Sequence, residues 1–140
     1  MKILGINHIG VAPKDAGQSA SFFGAVLKLQ NQGSETVEDQ KVKVDFFLVP
    51  KDSDTRIEIL EPVSPESPIQ KFLDKKGSGL HHMALEVDDI EQWLKYLKAE
   101  GVKLIDETPR TGAHNTKIAF VHPHSTGGLL VELVQEQNNA

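Results

Sequence analysis

The sequence predicts an α+β fold, because its 140 residues carry many strand patterns and few helix patterns. A weak internal repeat further predicts that the fold consists of two β-α-β-β-β modules. Segment 7–12 matches segment 81–86: each places a histidine before apolar residues, and these histidines are 74 residues apart. Segment 57–60 matches segment 131–134 at the same distance of 74 residues, with a glutamate second in each. Two matches at one spacing favour duplication over coincidence.

The first module begins with an alternating strand pattern over residues 4–12. Residues 15–29 predict a helix that Asp15 can cap. Its apolar stripe consists of Phe22, Phe23, Val26 and Leu27. Further strands are expected over 41–49, where apolar and polar residues alternate, and over 55–61.

A segment rich in proline and serine, residues 62–68, predicts the joint between the modules. Ser67 followed by Pro68 indicates the start of a short helix that ends before Gly77. We therefore expect a single domain made of modules 1–63 and 78–140, joined by a short linker and a helix.

The second module repeats the order of the first. A strand is expected over 80–87, followed by a helix that Asp88 or Asp89 caps and Gly101 ends. Three more strands are expected near 102–106, 116–122 and 128–135.

Composition excludes several kinds of function. The net charge of −5 offers no basic excess for a nucleic-acid partner, and no apolar run reaches the roughly 20 residues of a membrane span. The absence of cysteine excludes disulfides, zinc–thiolate sites, iron–sulfur clusters and thiol catalysis. With no export signal in the sequence, a cytoplasmic protein is expected.

The repeated residues His8, Glu58, His82 and Glu132 are candidate metal ligands. Each glutamate projects to the strand face opposite its apolar neighbours, which is the solvent face in most proteins. If the modules pair about a pseudo-twofold axis, however, the four side chains converge, and converging buried carboxylates need a cation between them. Imidazole and carboxylate together suit Co²⁺, Mn²⁺, Ni²⁺, Fe²⁺ or Zn²⁺.

The chain resembles the vicinal oxygen chelate superfamily, and within it the methylmalonyl-CoA epimerase family. The segments that carry the resemblance are 6–12, 57–62, 67–69, 71–73, 79–90, 109–114 and 122–133. The resemblance implies two modules in pseudo-twofold pairing whose mixed sheets enclose a central metal cleft. It also implies a homodimer that acts on a small acyl-CoA, with no nucleic acid or membrane as partner.

The implied activity is inversion of C2 of methylmalonyl-CoA, by proton abstraction and reprotonation through an enolate. The family's ligand positions fall on His8, Glu58, His82 and Glu132, the same four residues that the repeat selects. One divalent ion is expected, Co²⁺ first, with Mn²⁺, Ni²⁺ and Zn²⁺ as alternatives. Glu132 is the expected base, since a carboxylate beside the ion can remove the proton.

The second acid–base residue departs from the family pattern. Some members carry a glutamate where this chain has Val44. The adjacent Asp45 is the candidate substitute, although it reaches the same strand face only if the register slips by one residue.

Two other functions use the same sequence features. A glyoxalase I-like lyase that acts on a glutathione hemithioacetal would need the same four ligand types. A metal-free binding protein of the bleomycin-resistance kind would leave the histidines and glutamates without a catalytic role.

Overall fold

The computed structural model describes residues 1–49 and 54–137. Its strands and longer helices are, in chain order, β1 (Ile3–Ala12), α1 (Ala16–Ser21), β2 (Gln30–Val37), β3 (Val42–Leu48), β4 (Arg56–Pro62), α2 (Pro68–Lys76), β5 (Gly79–Val87), α3 (Ile90–Ala99), β6 (Arg110–Thr111), β7 (Lys117–Val121) and β8 (Val131–Gln135). A strand, a helix and three strands thus occur twice, with α2 between the two sets. The predicted α+β class and the β-α-β-β-β order are confirmed.

The chain forms two compact units, His8–His81 and Met1–Asn7 with His82–Ala140. In the first unit the strand order is β2-β3-β4-β1, and in the second it is β5-β8-β7-β6. Each set is mixed, because β1 and β5 run parallel to β4 and β8 while the other pairs are antiparallel. The division into modules 1–63 and 78–140 stays a prediction.

The 74-residue repeat extends to the pairing register of the strands. Glu58 and Glu132 are each paired on both sides. The partners of Glu58 are Gly10 and Phe46, and those of Glu132 are Ala84 and Phe120. Every partner in the first unit lies 74 positions before its counterpart in the second. The two glutamates therefore occupy equivalent places on equivalent central strands.

Helix α1 is shorter than the predicted 15–29. Asp15 caps it as expected, accepting a hydrogen bond from the backbone of Gln18 at 3.0 Å. After Ser21 the chain widens into one π turn over Phe22–Val26, and the wider turn rotates later residues away from a 3.6-residue stripe. Phe23 still packs on Phe47, with ring centroids 6.3 Å apart. The other predicted stripe residues, Phe22, Val26 and Leu27, are exposed.

Helices α2 and α3 form as the sequence predicts. The Ser67 hydroxyl accepts from the backbone N–H of Ile69 at 3.2 Å, and Gly77 ends α2 with a positive φ of 75°. Asp89 caps α3 by accepting from the backbone of Gln92 at 3.1 Å. Ile90 and Leu94 of α3 pack in one apolar cluster with the strand residues Val87, Ala119 and Leu133. Burial of this face holds α3 on the sheet.

The expected strand at 102–106 is wrong. Within it only Leu104 forms a bridge, to Val121, and the second strand of this module is β6 instead. The Asp106 carboxylate accepts a hydrogen bond from the backbone N–H of Phe120 at 2.8 Å. The Asp106 side chain thus serves as the acceptor that the backbone carbonyl of a neighbouring strand would otherwise provide.

Strand β2 has no counterpart in the sequence prediction, because its mostly polar and exposed residues lack the apolar alternation that marks a strand. Among the described residues, no helix has the length and apolar character needed to cross a membrane.

Candidate functional site

The first histidine–glutamate couple lies on the unit His8–His81. Glu58 of β4 pairs with Gly10 of β1, and His8 stands two residues before Gly10 on the same face. Nδ1 of His8 lies 3.2 Å from Oε2 of Glu58, and both residues are buried. Arg56 shares this face, with its Nε 3.9 Å from the same carboxylate oxygen and its guanidinium 6.0 Å from the centre of the Phe46 ring.

The second couple lies on the unit that contains β5 and β8. Glu132 pairs with Ala84, and His82 stands two residues before Ala84 on the same face. Nε2 of His82 lies 3.0 Å from Oε1 of Glu132, and only 9% and 4% of these residues are exposed. The Phe120 ring meets the His82 ring edge to face at 5.7 Å. The burial of these two residues and the distance between their nitrogen and oxygen atoms thus match those of the first couple.

The donor set of the two couples fits a divalent cation. Removing an unpaired carboxylate from water is costly, so each buried glutamate needs a positive partner or hydrogen-bond donors. In each couple an imidazole nitrogen and a carboxylate oxygen lie 3.2 Å or 3.0 Å apart. Two ligand atoms that each lie about 2.1 Å from one cation are separated from each other by about the same distance as the two atoms of each couple. Nitrogen and hard oxygen donors together favour a first-row divalent ion.

Asp45 lies on the other face of its strand. It pairs with Ile59, whereas its neighbour Phe46 pairs with Glu58. The register of β3 and β4 shows no slip from Val42 to Leu48. Since adjacent strand residues project to opposite faces, Asp45 points away from the His8–Glu58 couple. This register gives no support to Asp45 as an acid–base residue.

A different carboxylate, Glu35 of β2, lies on the face of the couple. Glu35 pairs with Val44, and Val44 pairs with Leu60, which is two residues beyond Glu58. Directly paired residues project to the same side of a sheet, so Glu35, Val44 and Glu58 share one face. Sequence reasoning missed Glu35 because it missed the whole of β2.

A second arginine, Arg110, belongs to the unit that contains the His82–Glu132 couple. The Arg110 guanidinium lies 5.6 Å from the centre of the Phe120 ring, and its Nε is 3.2 Å from Oδ1 of Asp106. Phe46 and Phe120 are equivalent in the repeat, so each carries an arginine over its ring. The arginines come from different strands, β4 and β6, which is why the sequence repeat does not reveal them.

Comparison with protein families matches residues 7–120 to the Glyoxalase/Bleomycin resistance protein/Dioxygenase superfamily. The chain is 41% identical over 134 residues to the uncharacterized protein YqjC of Bacillus subtilis, covering 96% of this chain and 94% of that protein. It is 39% identical over 132 residues to the mitochondrial methylmalonyl-CoA epimerase of Dictyostelium discoideum, covering 94% of this chain and 78% of that protein.

A solved structure of methylmalonyl-CoA epimerase in complex with methylmalonyl-CoA and NH4+ has the same fold. It is 30% identical in sequence and superposes with a TM-score of 0.90 over 96% of each chain. The predicted glyoxalase-type fold is therefore confirmed.

Proposed function

This chain belongs to the methylmalonyl-CoA epimerase family of the glyoxalase superfamily, and on that premise we propose that it inverts C2 of methylmalonyl-CoA. We further propose that His8, Glu58, His82 and Glu132 together hold one divalent cation for this reaction. The observation that carries the proposal is the presence of two buried histidine–glutamate couples at equivalent places of an internal repeat. Equivalent couples are what a shared site between duplicated modules requires.

Chain connectivity supports a shared site. His8 is joined by one peptide bond to Asn7, and Asn7 belongs to the unit of His82 and Glu132. The Asn7 amide donates to Glu86 at 3.2 Å and to Glu136 at 2.8 Å, which anchors the middle of β1 in that unit. His8 is therefore the next residue along the chain from one that is anchored in that unit.

The identity of the ion is the least determined part of the proposal. Co²⁺ is the ion we propose first, and Mn²⁺, Ni²⁺ and Zn²⁺ accept the same nitrogen and oxygen donors. When bound, the cation supplies positive charge beside the thioester and carboxylate oxygens of the substrate, and this makes the C2 proton more acidic.

Glu132 is the proposed base. A carboxylate buried next to His82 can take the proton from C2, so that the C–H bond breaks and its electrons delocalise into the thioester carbonyl. The neighbouring Phe120 ring, 7% exposed, limits access of water to this proton. Return of a proton to the opposite side of C2 completes the inversion.

The test is an assay of each C2 epimer with protein freed of metal by a chelator and then reloaded with Co²⁺. We expect inversion only after reloading, with deuterium from D₂O entering C2. His82→Ala and Glu132→Ala should each lose bound metal and activity while the circular dichroism spectrum persists. Retention of full metal occupancy in both variants would refute the site.

The same preparation separates the two other functions considered above. Turnover of the hemithioacetal of methylglyoxal and glutathione, without inversion of methylmalonyl-CoA, would assign a glyoxalase I-like lyase instead. A protein that binds neither metal nor acyl-CoA but retains another small ligand would be a binding protein.

We also propose that the protein acts as a homodimer in the cytoplasm, on a small acyl-CoA and without a nucleic-acid or membrane partner. Its net charge of −5 disfavours binding to nucleic acid. Light scattering on the purified protein measures the oligomeric state directly.

A further inference from the structure

The Phe120 ring joins an arginine to one of the proposed metal ligands. Phe120 belongs to β7, which lies between β8, the strand of Glu132, and β6. On one side Phe120 is the direct strand partner of Glu132, and its ring meets the His82 ring edge to face with centroids 5.7 Å apart. On the other side the Arg110 guanidinium lies 5.6 Å from the centre of the Phe120 ring. All four residues belong to the same compact unit.

The strand register directs the Arg110 side chain toward this ring. Arg110 of β6 pairs with Ile118 of β7, and Ile118 stands two residues before Phe120. Directly paired residues project to the same side of a sheet, and so do residues two apart in a strand. Arg110, Ile118 and Phe120 therefore share the sheet face on which Glu132 lies.

Segment 105–110 holds Phe120 by its backbone as well as by its ring. The backbone N–H groups of Ile105 and Asp106 donate to the Phe120 carbonyl at 2.9 Å and 3.2 Å. Oδ2 of Asp106 accepts from the Phe120 N–H at 2.8 Å, and Oδ1 lies 3.2 Å from Nε of Arg110. One carboxylate thus fixes both the Phe120 backbone and the arginine that lies over its ring.

The contact between Asp106 and Arg110 is partly shielded from water, since the Asp106 side chain is 15% exposed. A cation within about 6 Å of a ring centre is attracted by the ring, and the attraction increases as water is excluded. Groups that pack against a metal-binding histidine fix its ring orientation, and metal binding depends on that orientation. A fixed Phe120 ring therefore limits the orientations open to the His82 imidazole.

We propose that Arg110 is a positioning residue for His82, acting through the Phe120 ring, and that Asp106 holds Arg110 in place. This inference rests on the function proposed above, because His82 is a ligand of the proposed cation. With the Phe120 ring fixed, the imidazole keeps its Nε2 3.0 Å from Oε1 of Glu132, a separation that suits two ligands of one cation. Without Arg110 the two rings gain orientations in which the nitrogen no longer lies beside the carboxylate.

The first test measures Co²⁺ affinity by isothermal titration calorimetry on protein freed of metal. Arg110→Gln should bind Co²⁺ about 10- to 100-fold more weakly, the usual loss when a group that orients a metal ligand is removed. Arg110→Lys keeps a positive charge near the ring and should lose less. Wild-type affinity in Arg110→Gln would overturn the proposal.

Lys117→Gln is the matched control. Lys117 is also on β7, but it stands three residues before Phe120 and so projects to the opposite face, where its Nζ lies 3.3 Å from Oε1 of Glu91. Its substitution removes a salt bridge from the same strand without touching the ring. Co²⁺ affinity should stay at the wild-type value, and an equal loss in Lys117→Gln and Arg110→Gln would overturn the specific role of Arg110.

A double-mutant cycle tests the route through the ring. Phe120→Leu removes the ring and leaves an apolar side chain, so adding Arg110→Gln to it should weaken Co²⁺ binding no further. A further loss as large as that of Arg110→Gln alone would show that Arg110 acts by another route, and the proposal would fail.

Proton NMR follows the His82 ring in the metal-free protein and needs neither the cation nor the double variant. The His82 ring C–H signals, identified by their loss in His82→Ala, should move in Arg110→Gln and stay in place in Lys117→Gln. Unmoved signals in Arg110→Gln would overturn the positioning role and leave the epimerase function intact. Failure of the wild-type protein to bind Co²⁺ and to invert methylmalonyl-CoA would instead overturn the function itself.

Discussion

Phe46 and Phe120 occupy equivalent positions 74 residues apart, and each is the direct strand partner of a buried glutamate. Phe46 pairs with Glu58, and Phe120 pairs with Glu132. Each unit thus combines a carboxylate, an imidazole and a large apolar ring on one face of its sheet. Such surroundings keep water from the carboxylates and strengthen their interaction with a cation.

The first prediction concerns metal binding and stability. A ligand that binds only the folded protein stabilises it by mass action, by about 2.7 kcal/mol when its concentration is 100 times the dissociation constant. Addition of Co²⁺ should therefore raise the melting temperature of the wild-type protein, and a chelator should reverse the effect. His8→Ala should abolish the shift measured by differential scanning calorimetry.

His124→Ala is the control for this experiment. His124 is exposed, and its backbone N–H donates to Nδ1 of His122 at 3.0 Å. It should respond to Co²⁺ as the wild-type protein does. An equal shift in His8→Ala and His124→Ala would show that the ion binds elsewhere.

The second prediction distinguishes Glu132, which acts as a base, from Glu58, which only binds the cation. Glutamine retains an oxygen that can bind a cation but cannot accept a proton as a base. Glu132→Gln should therefore lose about 10²- to 10⁴-fold in exchange of the C2 proton. Glu58→Gln should lose much less at saturating Co²⁺. Deuterium incorporation by mass spectrometry measures both, and equal losses would contradict the proposed difference in roles.

Much of the site was predictable from sequence because duplication leaves paired signals. His8 and His82, like Glu58 and Glu132, stand at one spacing within apolar strands, and the structure places each pair in equivalent registers. Side chains two residues apart share a strand face, so the sequence already puts each histidine on a predictable side.

The sequence could not reveal the features of the fold that depend on how strands pair with one another. Strand β2 is a polar edge strand, so burial does not impose an apolar alternation on it. The face of Glu35 depends on the bulge near Gly33, and that bulge is defined only relative to β3. Strand β6 has two residues, too few for any periodicity. Asp45 had the right residue type, but only the register shows which face it takes.

The third prediction concerns pH and the beginning of β1. The backbone N–H of Lys2 donates to Oδ1 of Asp88 at 2.9 Å, and this bond holds the pKa of Asp88 below its ordinary value of 3.8. A carboxyl group whose pKa is lowered by folding stabilises the protein above its unfolded-state pKa. That contribution is lost as the pH falls through the lower, folded-state pKa.

Asp88→Asn should accordingly be less stable than the wild-type protein at pH 7, and the difference should shrink as the pH falls below 3.8. Urea unfolding at a series of pH values measures this difference. A gap that stays constant down to the lowest pH at which the protein folds would show that the Asp88 charge contributes nothing.

The last prediction tests the β-bulge of β2, the one extra residue that lies between the pairs Asn31–Phe47 and Ser34–Asp45. Gly33 has a φ of 101° and no atom within 4 Å of the position a Cβ would take, so Gly33→Ala introduces backbone strain without a clash. The strain should cost about 1 to 2 kcal/mol in the free energy of unfolding, and relieving it favours a β2 without the bulge. Without the bulge Glu35 would lie opposite Lys43 and project to the other face of the sheet. Gly101→Ala is the matched control: Gly101 has a φ of 80° and equally open surroundings, but it follows α3. It should lose a similar amount of stability. Urea unfolding measures both losses, and an unchanged free energy of unfolding in Gly33→Ala would show that the backbone of the bulge does not require glycine.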